Sequence, residues 1–353
     1  MKFDYPCGDP PAAGATKEIA PGVLWLRMPL PFALRWINLW LLEDGDGWTV
    51  VDTGVATDES RQHWRTIFAS SALRGKPVTR VLCTHMHPDH VGLAGWITGE
   101  FNCPLWMSRL EYVICRMLVA DTGRAAPEDG VNFYRAAGWD AAALDNYRER
   151  FGAFGRMVAQ MPDSFRRVTA GEELAIGGRQ WRVLGGNGHS PEHLCLLSPD
   201  LNLFISGDQI LPRISSNVSV HPTEPDADPL SDWLESCARL QREIPADVLV
   251  LPSHNEPFIG AHARLKELID GHEAALCRIV ERLHEGPCGV LELFPVLFPR
   301  LVTSDQLGFA TGESLAHLNC LIGRGRARRR TDAQGIWVYE RTWIRESRPF
   351  PQF

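Results

Sequence analysis

At 353 residues and 44% apolar composition, the chain can bury a substantial core, with room for a main domain and a smaller second one. A formal net charge of −7 argues against a general nucleic-acid or membrane-surface binder, whose affinity would rest on clustered Lys and Arg. The opening MKFDYPCGDPPAAGATKE puts charges, Pro and Gly where a secretory leader needs a continuous apolar run, and no stretch is apolar for long enough to span a bilayer; a cytoplasmic protein without a membrane partner is expected.

After a loop-like start, residues 23–28, 37–42 and 48–51 are short apolar runs rich in β-branched and aromatic side chains, divided by Pro or by Gly45-Asp46-Gly47. They predict the opening strands of a sheet. Residues 60–70 have helical spacing, and 78–83 form a further strand that delivers the chain into His85-Met86-His87-Pro88-Asp89-His90. From about 108 to 164, Ala, Arg, Met and aromatic residues recur at helical intervals, which predicts a helical insertion serving as a cap over the site.

Strand signals return at 173–176, 180–184, 194–197, 203–206 and 248–251. Strands at both ends with helices between predict an α+β architecture of two packed sheets covered by helices. Residues 262–284 read as one long helix closed by Gly286-Pro287, which sets a domain boundary and gives domains 1–260 and 261–353. Beyond it, helical stretches at 291–297 and 313–322 and a hairpin turning at 331–335 into 336–341 look like a winged helix.

Imidazole and carboxylate are the ligands expected for Zn and similar divalent ions, and His85, His87, Asp89 and His90 place four of them within six residues after a strand. A helix starting near Asp89 can direct these side chains toward two adjacent metals. His189, Asp208 and His254 stand at further strand ends, making seven ligand-type residues. The nine cysteines contain no CxxC pair, and an odd count cannot pair fully within one chain, so reduced, mostly buried thiols are expected. His63, His262, His272, His284 and His317 carry no such support and read as surface or packing residues. His193 and His221, which lie near the ligand motifs, are candidate substrate contacts.

Thr84-His85-Met86-His87-Pro88-Asp89-His90 resembles the THxHxDH signature of the metallo-β-lactamase superfamily, and His189, Asp208 and His254 match its later motifs in order over roughly residues 21–260. The resemblance implies an αββα sandwich and two divalent metal ions, Zn2+ first with Fe or Mn as alternatives. It places His85, His87 and His189 on one metal, Asp89, His90 and His254 on the other, and Asp208 between them. Asp89 and Asp208 are then the carboxylates at the reacting centre. Asp52, in Val51-Asp52-Thr53-Gly54, matches the first motif and becomes the partner that orients a ligating His; taken alone, Asp-x-Gly is also an ordinary turn sequence.

Two ions sharing Asp208 would activate a bridging hydroxide, so the expected enzyme is a metal-dependent hydrolase of a small thioester, lactone or ester. The seven-ligand pattern is similar to glyoxalase II, although the glutathione-binding features of that enzyme are missing. The C-terminal segment is similar to the branch of lactamase-β-like hydrolases that carry a winged helix. An Asp where one β-lactamase class has a Cys ligand disfavours an antibiotic-destroying role. Two alternatives stay open: a metal-dependent endoribonuclease or phosphodiesterase using the run from Arg324 to Arg330, and a DNA-binding regulator whose metal site senses a ligand. A small-molecule substrate is favoured over nucleic acid, and the C-terminal helices are a candidate homo-oligomer interface.

Overall fold

The computed structural model describes residues 3–342. A seven-stranded sheet runs in chain order through β1 (Thr16–Ala20), β2 (Val23–Pro29), β3 (Trp36–Asp44), β4 (Gly47–Val51), β5 (Val78–Leu82), β6 (Leu105–Met107) and β7 (Arg166–Arg167). A six-stranded sheet has the order β13 (Phe258–Ile259), β12 (Leu249–Pro252), β11 (Leu203–Gly207), β10 (His193–Ser198), β9 (Arg179–Gly186) and β8 (Glu173–Ile176). Both sheets are mixed: β4, β5, β6 and β7 pair in parallel, as do β11 and β12, and the other neighbours are antiparallel. The strand β1 falls in the segment that reads as loop, because Pro and Gly around it mask a short edge strand.

Strands β2, β3 and β4 are largely buried on both faces, which is why they are mostly apolar instead of alternating. Val23, Trp25, Trp40, Leu42, Val51 and Leu82 face Leu174, Trp181, Val183, Leu194, Leu196 and Ile205 of the second sheet. The opposite parity, with Leu24, Leu26, Met28, Leu39, Leu41, Val50 and Val81, packs on Trp64 and Ile67 of α1 (Asp58–Phe68), Ile97 of α3 (Ala94–Phe101) and Cys115 of α4 (Arg109–Ala120). The intervening short helix α2 (Pro88–Val91) carries part of the histidine run. Thr57 caps α1 by accepting a hydrogen bond from the Ser60 amide at 3.1 Å, and Asp58 and Glu59 complement the dipole in its first turn.

The chain divides into two compact units, one of Met1–Arg124, Phe151–Ser216 and Glu235–Leu268 and one of Ala125–Arg150, Asn217–Leu234 and Ile269–Phe353. This differs from a single cut after residue 260, since two internal segments join the C-terminal residues. The long helix α8 (Ala261–His284) gives no break at the cut, and α7 (Pro229–Glu243), not signalled in the sequence reading, contributes to both units. The helical insertion is divided in the same way: α4 belongs to the first unit, while α5 (Glu128–Ala136) and α6 (Ala141–Arg150) belong to the second.

Within the second unit, α9 (Phe294–Leu297) precedes α10 (Leu307–Gly323), and a ribbon pairs β14 (Ala327–Thr331) with β15 (Trp337–Arg341). Almost every residue of α10 from Ala310 to Leu321 is buried. A helix covered all round has no polar face, so its sequence loses the period that marks an amphipathic helix, and only 313–322 were legible. Trp139 Nε1 donates to Thr311 Oγ1 at 3.0 Å, and Asn319 donates to the carbonyls of Pro225 and Ala227, tying the insertion and the 217–228 segment to this helix.

Candidate metal centre

The seven ligand-type side chains lie beyond the carboxyl ends of strands in the first unit. β5 leads to His85 and α2, β9 to His189, β11 to Asp208, and β12 to His254. The structure brings them together in two groups: the donor atoms of His85, His87, His189 and Asp208 lie within 4.8 Å of one another, as do those of Asp89, His90 and His254. Asp208 faces both. Its Oδ2 is 3.3 Å from His189 Nε2, while its Oδ1 is 3.4 Å from His90 Nε2 and 3.6 Å from His254 Nε2. Asp89 Oδ2 is 3.4 Å from His254 Nε2.

Around these atoms a second layer fixes each ring. Asp52 accepts from the Thr84 amide at 2.8 Å through Oδ1, and from Thr84 Oγ1 and His90 Nδ1, both at 2.8 Å, through Oδ2. In the neutral ring the His90 proton is therefore held on Nδ1, which leaves Nε2 as the atom that can ligate a cation. With the Thr84 hydroxyl proton given to Asp52, His85 Nδ1 can donate to Thr84 Oγ1 across 3.1 Å, which turns its Nε2 toward His87 Nδ1 at 2.9 Å. His254 Nδ1 donates to the Trp36 carbonyl at 3.1 Å. Asp52 does this from a left-handed backbone with φ +60°, a conformation that Asp tolerates better than most residues.

The loop carrying His254 is pinned across the sheets. Asn38, buried on β3, accepts from Trp25 Nε1 at 2.9 Å, donates Nδ2 to the carbonyls of Pro252 (2.8 Å) and Asn255 (2.5 Å), and gives its own amide to the Ser253 carbonyl at 2.7 Å. On β11, Gly207 has φ +52° and a Cβ there would stand 2.5 Å from His193 Nε2, so glycine alone lets the chain turn into Asp208.

The charges split the cluster. Burial, reinforced by neighbouring imidazoles, pushes His85 well below the ordinary histidine value and His87 down to about 3. Burial opposes the charged form of His90 too, yet Asp52, Asp208 and Asp89 outweigh it and lift that imidazole well above the ordinary value. Asp208 is held well below the carboxylate range by His90 and His254 against the opposing effect of burial. The buried carboxylates thus hold positive charge on His90 beside the neutral imidazoles of His85 and His87. His90 Nε2 and Asp208 Oδ1 are buried and face each other without a hydrogen bond. Such a donor set, of buried lone pairs converging on two points, fits divalent cations of the Zn, Fe or Mn kind.

The other candidates fall elsewhere. His193 is fully buried, its ring 4.8 Å from that of His85, and its Nε2 accepts from the Asp208 amide at 3.2 Å. In the structure it offers no exposed surface and supports the Asp208 turn. His221 is exposed and lines an aromatic cavity of the second unit with Tyr134, Trp139 and Tyr147; it is not part of either donor group. Three of the five arginines of the run have carboxylate partners: Arg324 pairs with Glu273, Arg328 with Glu340 and Arg329 with Asp226.

Sequence reasoning missed Glu111. Ser108-Arg109-Leu110-Glu111 has the spacing of a capping box, but no side-chain cap bond forms at Ser108 and the buried carboxylate turns to the ligand loops instead. Asn38 was also missed, since a lone polar residue in an apolar strand gives no sign of its partners across the chain.

Residues 37–254 match the metallo-beta-lactamase superfamily, and 276–342 match its metallo-beta-lactamase-like C-terminal domain. The fold is similar to that of a beta-lactamase domain protein from Burkholderia ambifaria, with TM-score 0.89 and 43% identity over 96% of this chain and 98% of that one. Among curated relatives, the chain is 26% identical to the probable metallo-hydrolase YqjP of Bacillus subtilis, covering 85% of this chain and 92% of that protein. It is 25% identical to the acyl-coenzyme A thioesterase MBLAC2 of Gallus gallus, covering 75% and 89%. The family match takes in strands of both sheets and all seven ligand-type residues, ending on His254, so the converging ligand loops lie within the matched sequence, and the chain belongs to the metallo-β-lactamase superfamily of metal-dependent hydrolases.

Proposed function

We propose that the protein is a dinuclear hydrolase of a small thioester, lactone or ester, with zinc the favoured metal. The observation that carries the dinuclear reading is the position of Asp208, whose two oxygens face different donor groups. His85, His87, His189 and Asp208 Oδ2 would hold one cation; Asp89, His90, His254 and Asp208 Oδ1 would hold the other. Divalent cations held there supply Lewis acidity and bring the pKa of a water toward neutrality.

The protein's own groups do the rest. Asp52 and the Trp36 carbonyl keep the protons of His90 and His254 on Nδ1, so these rings cannot rotate out of place during turnover. Asp89 is the more open carboxylate, its side chain 16% exposed against 10% for Asp208, and it is the group through which a proton can pass to the leaving atom.

Acyl chemistry is supported by the thioesterase named among the relatives. The phosphodiesterase alternative is less favoured, because three of the five arginines of the Arg324–Arg330 run have carboxylate partners. Asp208→Ala is expected to lower bound metal from two ions to one or none and to reduce hydrolysis by at least about a thousandfold. Elemental analysis beside a panel of acyl-CoA, lactone, phosphodiester and β-lactam substrates tests this. Full turnover after exhaustive chelation, or preference for the phosphodiester, would reject it.

A further inference from the structure

Glu111 belongs to neither donor group, yet its carboxylate joins the two loops that carry one of them. It sits in the first turn of α4 and is fully buried. Its Oε2 accepts from the amide of Met86, the residue between His85 and His87, at 2.9 Å. Its Oε1 accepts from Ser190 Oγ, beside His189, and from the Glu192 amide at 2.8 Å. These loops come from different sheets, the first following β5 and the second joining β9 to β10.

A carboxylate without exposure is expensive to bury, and a leucine would fill the same volume without that penalty. Three donors aimed at its two oxygens offset the loss of water and give the carboxylate a geometric effect that a leucine lacks: they fix the distance between the His85–His87 loop and the His189 loop. The second donor group has ties of its own that do not involve Glu111: Asp52, which also reaches His85 through Thr84, holds His90, and the Trp36 carbonyl holds His254. The asymmetry is therefore built into the hydrogen bonds.

Resting on the dinuclear reading above, we infer that Glu111 is a positioning residue that sets the cation affinity of the His85, His87 and His189 group and leaves the Asp89, His90 and His254 group largely untouched. In Glu111→Gln an amide nitrogen must replace one oxygen, so it opposes either the Met86 amide or the Glu192 amide, and one inter-loop tie is lost while side-chain volume is kept. Loss of an outer-layer partner lowers metal affinity by about 10- to 100-fold.

The test is zinc titration of metal-free full-length protein against a chromophoric chelator, with near-ultraviolet circular dichroism to check the fold. In a His254→Ala background, where the first group is the one left whole, Glu111→Gln should weaken zinc binding at least about tenfold. In a His189→Ala background the same substitution should change it less than about twofold, a selectivity that general loosening of the fold would not produce. Ser190→Ala removes only one donor and should shift affinity in the same direction by less, so it carries the test if Glu111→Gln does not fold. Equal affinities with and without Glu111→Gln in the His254→Ala background, or equal losses in both backgrounds, would overturn the role of Glu111. Uptake of fewer than two zinc ions by the unaltered protein would instead overturn the dinuclear reading, and this inference with it.

Discussion

Asp52 carries three hydrogen bonds and an unfavourable backbone angle for the sake of two neighbours, Thr84 and His90. Asparagine at the same position keeps the tolerance for positive φ but replaces one acceptor oxygen with a donor, so Asp52→Asn is expected to let His90 lose the Nδ1 proton that turns its Nε2 to the cation. Metal affinity of the Asp89, His90 and His254 group should fall by about 10- to 100-fold with secondary structure retained, which calorimetric zinc titration and far-ultraviolet circular dichroism would check. Unchanged affinity would reduce Asp52 to the turn residue that Asp-x-Gly also suggests. The ligand residues themselves were legible because His and Asp in dense, strand-terminal clusters have few other reasons to recur. Glu111 and Asn38 were not, because the ligand-loop partners of Glu111 lie 25 or more positions away in sequence and those of Asn38 more than 210.

At the scale of elements, α10 shows how burial shapes titration. His317 Nδ1 donates to the Glu313 carbonyl at 2.8 Å, and His272 Nδ1 lies 3.2 Å from His317 Nε2, so the two rings form a neutral chain. Burial pushes both imidazoles down to about 4, from an ordinary value of 6.5. As pH falls through 6.5 the unfolded chain takes up these protons first, so their contribution to stability is complete above that value and is lost toward pH 4. Glu313 acts with the opposite sign. Burial lifts its carboxyl to about 7 from 4.5, against the opposing hydrogen bond from Asn217, so it destabilises the fold as pH rises through that window. Glu313→Gln keeps the Asn217 bond and is expected to raise stability at pH 8 by about 2–3 kcal/mol while changing little near pH 4. Urea unfolding at the two pH values checks this, and an equal effect at both would remove titration as the cause. The sequence showed α10 only in part, since full burial erases amphipathic period, whereas β2 and β3 were clear because short apolar runs bounded by Pro and Gly survive burial on both faces.

For the whole molecule, the ligand loops are gathered from both sheets, so cation binding should be linked to folding. Removal of metal by chelation is expected to lower the unfolding midpoint by several degrees, reversibly on return of zinc, because occupancy at 100 times the dissociation constant contributes about 2.7 kcal/mol. Differential scanning calorimetry of chelated and reconstituted protein measures the shift, and identical midpoints would show that no cation binds the native chain in preference to the unfolded one. No helix among the described residues is long and apolar enough to cross a membrane.

The sequence by itself determined the metal chemistry and the family. A run of histidines and aspartates after a strand, followed by His189, Asp208 and His254 at later strand ends, has a residue-type signature that survives without coordinates. Tertiary structure decided what is relational. It turned Asp208 toward both groups, set His193 beneath the Asp208 amide, tied three arginines of the Arg324–Arg330 run to carboxylates, and set Glu111 between two loops. The physical reason is that ligand identity is a property of each side chain, whereas burial, hydrogen-bond partners and pairing of charges depend on residues that only folding makes neighbours.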